Sequence, residues 1–491
     1  MLRPHPIPTL MAMAALATAP AMAADKTELQ QLQQQIDALR QDYEARLQAL
    51  EARLRQAESG RAAAGAQPPA AAAALPPAVA AALPPAVAAA LPPAAAAAPV
   101  PAEPSPATPA PATAPAPATP NAFNPAIALV LSGSYASLSR PPDDYRFAGF
   151  LTGGQIGPGV QGFSLGESEL TFSASVDPWF FGSLSVALAA DNSASVEEAF
   201  VQTTALPAGM GLKAGRFLSG IGYLNDKHAH TWDFADQPLV YQAFLDGQLK
   251  QDGLQWRVLL PTEQFVELGA EVGAAGPFPS GGSNGNRPGT ATLFAHTGGD
   301  LGVSQSWRAG VSYLWAKANE RESWDVAASG SRVTNVFSGN SRMAIVDGVW
   351  KWAPDGNAQR TNLTVQGEYL RRVESGSLTY DIGNAAQTDA FDAAQSGWYA
   401  QAVYQFMPAW RVGLRYDRLN IGDVDAASNG VNLLVPDRSP TRATLMFDWS
   451  PSEFSRVRLQ YANDRAREGA ADNQVIVQYQ MSLGTHGAHG F

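Results

Sequence analysis

The clearest pattern of apolar and polar positions lies in residues 473–484, where the two kinds of side chain alternate. The apolar positions are Val475, Val477, Tyr479, Met481 and Leu483. The polar positions are Gln474, Gln478, Gln480 and Ser482, with Ile476 as the one apolar residue among them. A period of two predicts a β-strand with one apolar and one polar face. Such a strand is typical of a transmembrane barrel wall, with lipid outside and water inside.

Similar alternation recurs through residues 123–491 and predicts sixteen strands. The predicted strands are 125–138, 163–176, 180–190, 195–206, 210–217, 254–260, 264–272, 290–298, 305–318, 341–352, 359–373, 395–406, 410–418, 441–449, 455–463 and 473–484. Seven connections are tight, six of these contain proline, and they alternate with eight connections that are mostly long and polar. The predicted fold is therefore all-β: a transmembrane antiparallel β-barrel of about 16 strands over residues 121–491, with both ends in the periplasm.

Six tryptophans lie in or beside the predicted tight turns: Trp179, Trp307, Trp350, Trp352, Trp410 and Trp449. Tryptophan favours the bilayer interface, where an apolar ring with one N–H group meets a half-wet environment. The pattern supports a barrel whose turn end lies at a membrane surface. Core tryptophans next to the turns of a soluble sandwich are the alternative interpretation.

The beginning of the chain predicts a secretory signal over residues 1–23. Arg3 precedes an apolar stretch at 7–19, and Ala21-Met22-Ala23 forms a small-x-small cleavage motif. A short membrane anchor is the alternative, but the stretch is short and rich in alanine for a spanning helix. No later run predicts a spanning helix, because the apolar tract 70–100 is broken by prolines.

Two further regions precede the barrel. Residues 24–58 carry leucines and other apolar residues at heptad spacing with one stutter, which predicts a periplasmic coiled coil. The seam is compatible with a dimer or a trimer, of which the trimer is the preferred expectation for a homo-oligomer; a lone amphipathic helix is the alternative. Residues 59–120 are rich in alanine and proline, repeat a Leu-Pro-Pro motif, and predict a disordered or semi-rigid linker.

Composition narrows the possible functions. The formal net charge is −11, from 33 basic and 44 acidic residues, and this argues against a nucleic-acid partner. The chain has no cysteine, so disulfides and thiolate metal sites are excluded. No cofactor is indicated.

The period of two also assigns charged side chains to the inner face of the predicted barrel. The predicted pore-lining residues are Glu167, Glu169, Glu267, Glu271, Arg308, Arg411, Arg415, Arg456 and Arg458. Acidic residues dominate early in the chain and basic residues late, so the two walls would set a transverse field across a water-filled lumen. The alternative is that these charges pair with each other and fill space.

The connection 218–253 is unusually apolar for a long loop, with Ile221, Tyr223, Trp232, Phe234 and Phe244 among its residues. A long loop with its own apolar side chains has to pack somewhere, and the barrel interior is the available place. We therefore expect it to fold inward and narrow the pore. The predicted constriction residues are Asp226, Lys227, His228, His230, Asp233 and Asp236.

His228 and His230 form a His-x-His motif, which places two imidazoles on one side of an extended backbone. With Asp226 and Asp233 nearby, the motif is a candidate zinc site; packing or hydrogen-bonding histidines are the alternative. An enzyme is not expected, because His296 faces the predicted lumen but no motif ties a serine nucleophile to it.

Several runs resemble Gram-negative outer-membrane porin-like proteins with an N-terminal coiled coil, of the dicarboxylate, phosphate-selective or siderophore porin type. The runs are FSLGESEL from Phe163, AGRFLSGIGYLNDKHAHTWDF from Ala214, QFMPAWRVGLRYD from Gln405, DWSPSEFSR from Asp448 and the tail GTHGAHGF. Relatives of this kind are often labelled TonB-dependent or zinc-regulated outer-membrane receptors. The chain departs from the TonB-dependent pattern, which has a folded plug before a barrel of about 22 strands.

The first functional hypothesis is an outer-membrane porin for small hydrophilic solutes, surrounded by outer-membrane lipid and narrowed by loop 218–253. The second is a receptor or porin for a metal ion or metal chelate, such as zinc or a siderophore. The third is a structural tether, in which the periplasmic coiled coil contacts the cell wall.

Overall fold

The computed structural model describes residues 125–191, 193–327, 329–433 and 438–484, all within the unit Ala107–Phe491. The strands are β1 (Ala126–Leu138), β2 (Gly162–Leu165), β3 (Ser168–Ser175), β4 (Phe180–Leu188), β5 (Ala194–Thr203), β6 (Met210–Leu218), β7 (Lys250–Leu259), β8 (Phe265–Gly273), β9 (Thr290–Asp300), β10 (Gln305–Val326), β11 (Arg332–Trp352), β12 (Asn362–Tyr380), β13 (Gln387–Met407), β14 (Trp410–Asp425), β15 (Thr441–Ser452), β16 (Ser455–Asp464) and β17 (Asp472–Gly484). One α-helix, α1, spans Leu239–Leu245, and short 3-10 helices span Pro142–Asp144, Ala229–Thr231, Pro354–Gly356 and Ala427–Val431.

The strands form one closed antiparallel sheet. Neighbours in the chain pair with each other from β3 to β17, and β1 closes the barrel by pairing with β17 on one side and with β2 and β3 on the other. Because β2 and β3 pair with successive parts of β1, they are two parts of one wall strand, interrupted at 166–167. The described wall therefore has sixteen strands, and the all-β barrel prediction is confirmed.

The connections differ at the two ends. At the turn end, the strands are joined through 176–179, 204–209, 260–264, 301–304, 353–361, 408–409 and 453–454. At the loop end, they are joined through 139–161, 189–193, 219–249, 274–289, 327–331, 381–386, 426–440 and 465–471. Among the described residues, no helix is both long and apolar enough to cross a bilayer. The predicted signal (1–23), coiled coil (24–58) and linker (59–120) lie outside the described residues.

On β14 and β17, the predicted outer and inner faces are the observed ones. On β14, Leu414 is 61% exposed while the next residue, Arg415, is 3% exposed. On β17, Tyr479 is exposed and Gln480 is buried, and the exceptional Ile476 packs inside against Ala136 and Leu138. An apolar outer face on a closed antiparallel sheet is the arrangement that a bilayer covers in outer-membrane barrels.

Tryptophans gather on the wall near the turn end. Trp307 lies opposite Trp350 in the pairing of β10 with β11, and Trp410 lies opposite Trp449 in the pairing of β14 with β15. The rings of Trp410 and Trp449 stack with centroids 5.8 Å apart. Their position beside the tight turns agrees with an interfacial aromatic belt.

The interior of the barrel contains a hydrophobic core. α1 is buried in full and packs on inward-facing apolar residues of β10 to β14, namely Leu314, Met343, Ile345, Leu370, Tyr399 and Leu419. Residues of the loop 139–161 join the same core, with Phe150 and Phe244 rings 6.0 Å apart. The sequence pattern predicted a polar inner wall, and this apolar patch is a difference from it.

Candidate functional site

The connection 219–249, which we call the inner segment, packs against inward-facing side chains of the wall. At its start, the Ser219 hydroxyl donates to Glu271 at 2.5 Å and the Gly220 N–H donates to the same carboxylate at 2.9 Å. Glu271 is buried on β8. The carboxylate thus satisfies the polar groups of a chain that leaves the sheet inside the barrel, where they would otherwise lose hydrogen bonds to water.

Glu368 on β12 holds the next turn of the inner segment. It accepts from the backbone N–H groups of Tyr223 (3.1 Å) and Leu224 (3.0 Å) and from the hydroxyls of Tyr241 (2.9 Å) and Tyr399 (2.7 Å). Burial, followed by the Glu368 charge, raises the pKa of Tyr241 well above its usual value, so its hydroxyl stays protonated as a donor. The Glu368 carboxylate therefore holds both the turn at 222–224, which we call the entry turn, and the helix α1.

The helix α1 begins after Pro238, which supplies a preset φ at the helix start. The N–H of Leu239 lies in the first turn, where a helix offers no acceptor of its own. It donates to the Asp417 carboxylate on β14 at 3.0 Å. At the other end, Arg372 on β12 donates to the carbonyl oxygen of Ala243 at 3.3 Å. The wall therefore supplies polar partners at both ends of α1.

Two aspartates of the inner segment pair with arginines of the late strands. Asp233 lies 2.8 Å from Arg411, and Asp236 lies 2.7 Å from both Arg415 and Arg442. Burial raises the pKa of Asp236, but Arg415 and Arg442 lower it by a larger amount. The resulting pKa is about 2. In these pairs, charges of the inner segment and of the wall neutralise each other. This arrangement corresponds to the alternative interpretation, in which charges inside the barrel pair and fill space.

The two arginines of β16, Arg456 and Arg458, bind backbone carbonyl groups of the inner segment and not its aspartates. Arg456 donates to the carbonyl oxygen of His230 at 2.9 Å, and Arg458 donates to that of Trp232 at 2.6 Å. Gln480 on β17 adds a donor to the His230 carbonyl at 2.9 Å. Because these carbonyls face the wall, the stretch 230–232 is held in one position across the lumen.

The histidines meet glutamates on the opposite, early strands. His228 Nδ1 lies 3.1 Å from Glu169 on β3 and 3.2 Å from Glu197 on β5, and its Nε2 lies 3.1 Å from Glu198. His230 Nδ1 lies 3.0 Å from Glu169. Burial lowers the pKa of His228, but the three glutamates raise it more strongly, so the pKa lies well above its usual value. The inner segment thus bridges an acidic wall and a basic wall.

Two cavities enter the barrel from opposite ends. The turn-end cavity, of about 690 Å³, is lined at its wall by Lys351, Thr364, Ser455 and Arg456, among others. The loop-end cavity, of about 380 Å³, is lined by Ser132, Ser164, Glu167 and Gln478, among others. His230 and Trp232 line both cavities. The two spaces are therefore separated by one stretch of the inner segment.

The structure places the predicted constriction residues as follows. Lys227, His230 and Asp233 line the turn-end cavity, and His230 and Asp236 line the loop-end cavity. Asp226 lies beside Lys227, with a carboxylate–ammonium distance of 3.8 Å, and His228 lies among the glutamates. The carboxylates next to the two imidazoles are thus glutamates, while Asp233 pairs with Arg411.

Of the predicted pore-lining residues, Glu167 and Arg456 border the two cavities. Glu169, Glu271, Arg411, Arg415 and Arg458 bond to the inner segment. Arg308 lies over the ring of Tyr223 at 5.5 Å. Glu267 pairs with Arg257 at 3.5 Å and with His296 at 3.1 Å.

Sequence reasoning missed three groups at the site. Glu197 and Glu198 are adjacent on β5, and both reach His228, which a strict period of two does not predict. Glu368 and Tyr399 were not singled out. The loop 139–161 also folds inward through Tyr145, Phe147 and Phe150, which are buried; the signal was the same apolar content that marked 218–253.

Several solved structures are similar to the chain. A loop L8 deletion mutant of OmpT, an outer membrane protein of Vibrio cholerae, is 11% identical over 73% of this chain and 99% of that chain, with a TM-score of 0.46. An anion-selective porin from Comamonas acidovorans is 11% identical over the same shares, with a TM-score of 0.45. The outer membrane channel DcaP of Acinetobacter baumannii is 12% identical over 73% of this chain and 97% of that chain, with a TM-score of 0.45.

No family model matches the chain. An uncharacterized protein of Aquifex aeolicus (strain VF5) is 30% identical over 394 residues, which cover 75% of this chain and 80% of the other. The chain belongs to the same protein family as this Aquifex aeolicus protein.

Proposed function

We propose that the chain forms a narrow outer-membrane channel for small hydrophilic solutes, constricted by the inner segment at His230 and Trp232. The observation that carries the proposal is the meeting of two cavities from opposite ends of the barrel at these two residues. A solute that follows both cavities has to pass this stretch, whose backbone is fixed by Arg456 and Arg458.

The surroundings of the constriction suit hydrated solutes. The turn-end cavity carries Lys227, Lys351 and Arg456 together with Asp233, and the loop-end cavity carries serines, glutamines and Glu167. Hydrogen-bonding and charged side chains replace part of the hydration shell of a passing polar solute. The outer wall is apolar, which supports placement in an outer membrane.

The proposal assigns no catalytic role. His296, the histidine considered as a base, lies 3.1 Å from Glu267, and its ring stacks on Phe294 with centroids 5.1 Å apart. An imidazole that contacts Glu267 and stacks on Phe294 fits a role in packing the inner wall better than activation of a nucleophile. The receptor hypothesis for a metal chelate and the tether hypothesis stay predictions.

Single-channel recording in planar bilayers tests the proposal on the full-length protein. We expect small, stepwise currents from the wild type and a larger unit conductance from Trp232→Ala, because the substitution removes the largest side chain shared by both cavities. Trp315→Ala is the matched control, since Trp315 is 39% exposed on the outer wall; its unit conductance should equal the wild-type value.

The measurement also has an outcome against the proposal. Folded, membrane-inserted protein that passes no current, in both the wild type and Trp232→Ala, contradicts a channel. Equal conductance of the wild type and Trp232→Ala, with open channels in both, contradicts the assignment of the constriction. Insertion is checked separately by the resistance of the barrel to protease in vesicles.

A further inference from the structure

We propose that Glu169, Glu197, His228 and His230 bind one zinc-type divalent metal ion, which ties the inner segment to strands β3 and β5. The site differs from the His-x-His and aspartate set expected from the sequence, because its carboxylates come from the wall. It does not depend on whether the barrel conducts, since metal binding is measured on the purified protein.

The backbone brings the two imidazoles together. His228 has an extended conformation (φ −59°, ψ 145°) and precedes the 3-10 turn Ala229–Thr231, which contains His230. The two rings lie with centroids 5.6 Å apart and an angle of 34° between their planes. Both Nδ1 atoms approach the same oxygen of Glu169, at 3.1 Å and 3.0 Å. Two nitrogens on one side of a short turn thus converge on one carboxylate.

The distances fit a metal in the middle. One ligand atom each from Glu169, His228 and His230 lie within 4.8 Å of one another. A tetrahedral zinc with bonds of about 2.0–2.1 Å places its ligand atoms about 3.3 Å apart. The two contacts of Glu169 with the imidazoles, at 3.1 and 3.0 Å, are already close to this spacing, whereas the widest pair of the set has to close by up to about 1.5 Å when the ion binds. Glu197, whose carboxylate lies 3.2 Å from His228 Nδ1, is the candidate for the fourth ligand.

A partner behind the ligands strengthens the assignment. The other nitrogen of His228, Nε2, lies 3.1 Å from Glu198. Metal-binding histidines usually donate their second N–H to a carboxylate, which fixes the tautomer and leaves the first nitrogen free for the metal. When the metal binds, Nδ1 would release its proton to solvent and direct its lone pair at the ion, while Nε2–H donates to Glu198. A lone packing histidine does not require carboxylates at both nitrogens.

The donor chemistry selects the class of ion. Two imidazoles with two carboxylates suit zinc and neighbouring first-row metals, whereas calcium and magnesium prefer oxygen ligands alone. The side chains are largely buried, with exposures of 21% for His228, 11% for His230, 6% for Glu169 and 4% for Glu197. His230 borders both cavities, so an ion has a route to the site.

The test uses the full chain without an affinity tag, dialysed against chelator in detergent and titrated with zinc chloride by calorimetry. We expect one zinc per chain, and zinc-edge X-ray absorption with nitrogen and oxygen ligands at about 2.0–2.1 Å. The double variant His228→Ala/His230→Ala should lose the zinc. Glu198→Gln should bind one zinc with an affinity lower by about 10–100-fold, because it orients a ligand without being one.

Two controls address other histidines. His296→Ala removes a buried histidine that pairs with a single glutamate, and His486→Ala/His489→Ala removes the tail histidines; both should bind zinc like the wild type.

Glu169→Gln provides a graded variant if the double alanine variant does not fold. Absence of stoichiometric zinc, equal binding by folded Glu169→Gln and wild type, or calcium bound as tightly as zinc would overturn the proposal. The first result would mean that the histidines hold protons and form ion pairs with the glutamates.

Discussion

At the scale of single residues, the interior depends on carboxylates that accept several bonds each. Glu368 receives two backbone N–H groups and two tyrosine hydroxyls, and Glu271 receives the first two residues of the inner segment. A hydrogen bond contributes roughly 0.5–1.5 kcal/mol net to stability, and a buried donor left without an acceptor costs about 1–3 kcal/mol. These two side chains therefore determine where the inner segment lies.

Gly222 gives the sharpest prediction at this scale. Its φ is +63°, and a Cβ at this position would collide with the Glu368 carboxylate and lie 3.1 Å from the Tyr241 hydroxyl. Gly222→Ala combines a left-handed backbone with overpacking, so we expect a loss of about 1–3 kcal/mol in the free energy of unfolding. Urea unfolding of detergent-refolded protein, followed by tryptophan fluorescence, measures it.

Gly154→Ala is the matched control for that experiment. A Cβ at Gly154 has no atom within 4 Å, so its midpoint in urea should match that of the wild type. If Gly222→Ala is as stable as Gly154→Ala, the contact between the inner segment and Glu368 is not what holds the entry turn.

At the scale of elements, Asp236 anchors the inner segment to β14 and β15, and this predicts a dependence on pH. Its pKa is about 2 in the folded protein, below the usual 3.8, because Arg415 and Arg442 outweigh burial. A depressed pKa stabilises the fold above pH 3.8, and the stabilisation is lost as the pH falls through about 2. The contribution is roughly 2–3 kcal/mol, at about 1.4 kcal/mol per pKa unit.

The stability difference between the wild type and Asp236→Asn should therefore be largest near neutral pH and shrink between pH 3.8 and about 2. Urea titrations at a series of pH values measure this difference. Asp143→Asn, in an exposed position on the loop 139–161, should follow the wild type throughout. A difference that does not change with pH would mean that Asp236 acts through packing and not through its charge.

The strands were predictable from the sequence because lipid outside and water inside impose a period of two. The ends of the long strands were not predictable, because the outward-facing positions become polar where a strand extends beyond the lipid. β10 was expected to end at 318 but continues to Val326, and its outward residues there include Glu320 and Glu322. The inward folding of 218–253 was an expectation from its apolar residues, of which Ile221, Phe234 and Phe244 are buried.

The partners inside the lumen were not predictable, because they join residues far apart in the chain. Nothing local in the sequence indicates that His228 meets Glu169 and Glu197 from β3 and β5. The pairing of Asp233 with Arg411 and of Asp236 with Arg415 likewise follows from how the inner segment crosses the barrel. Which charges pair is a property of the closed barrel and not of any one strand.

At the scale of the whole molecule, the barrel interior is divided between a fixed apolar part and a polar part. α1 and Phe150 pack against β10 to β14, while the two cavities are bordered by β1, β2, β15, β16 and β17, by the turn-end parts of β11 to β13 and by residues 155–160 of the loop. An inner segment bonded on both the acidic and the basic side has little freedom to move away. For the proposed channel, this favours a permanently narrow passage over a gate that opens by displacement of the inner segment.

The last prediction concerns the association of whole chains. The leucine seam over 24–58 predicts a homo-oligomer, with a trimer preferred, because an isolated amphipathic helix has no partner for its apolar stripe. Removal of residues 24–58 from the mature chain should shift the detergent-solubilised protein from trimer to monomer, as measured by native mass spectrometry or sedimentation. Unit conductance and resistance to urea should be unchanged, because the deletion retains every residue of the barrel. A variant with Leu32, Ile36, Leu39 and Leu50 replaced by glutamine keeps the chain length and should behave like the deletion. A trimer that survives both changes would place the association surface on the barrel wall instead of the coiled coil.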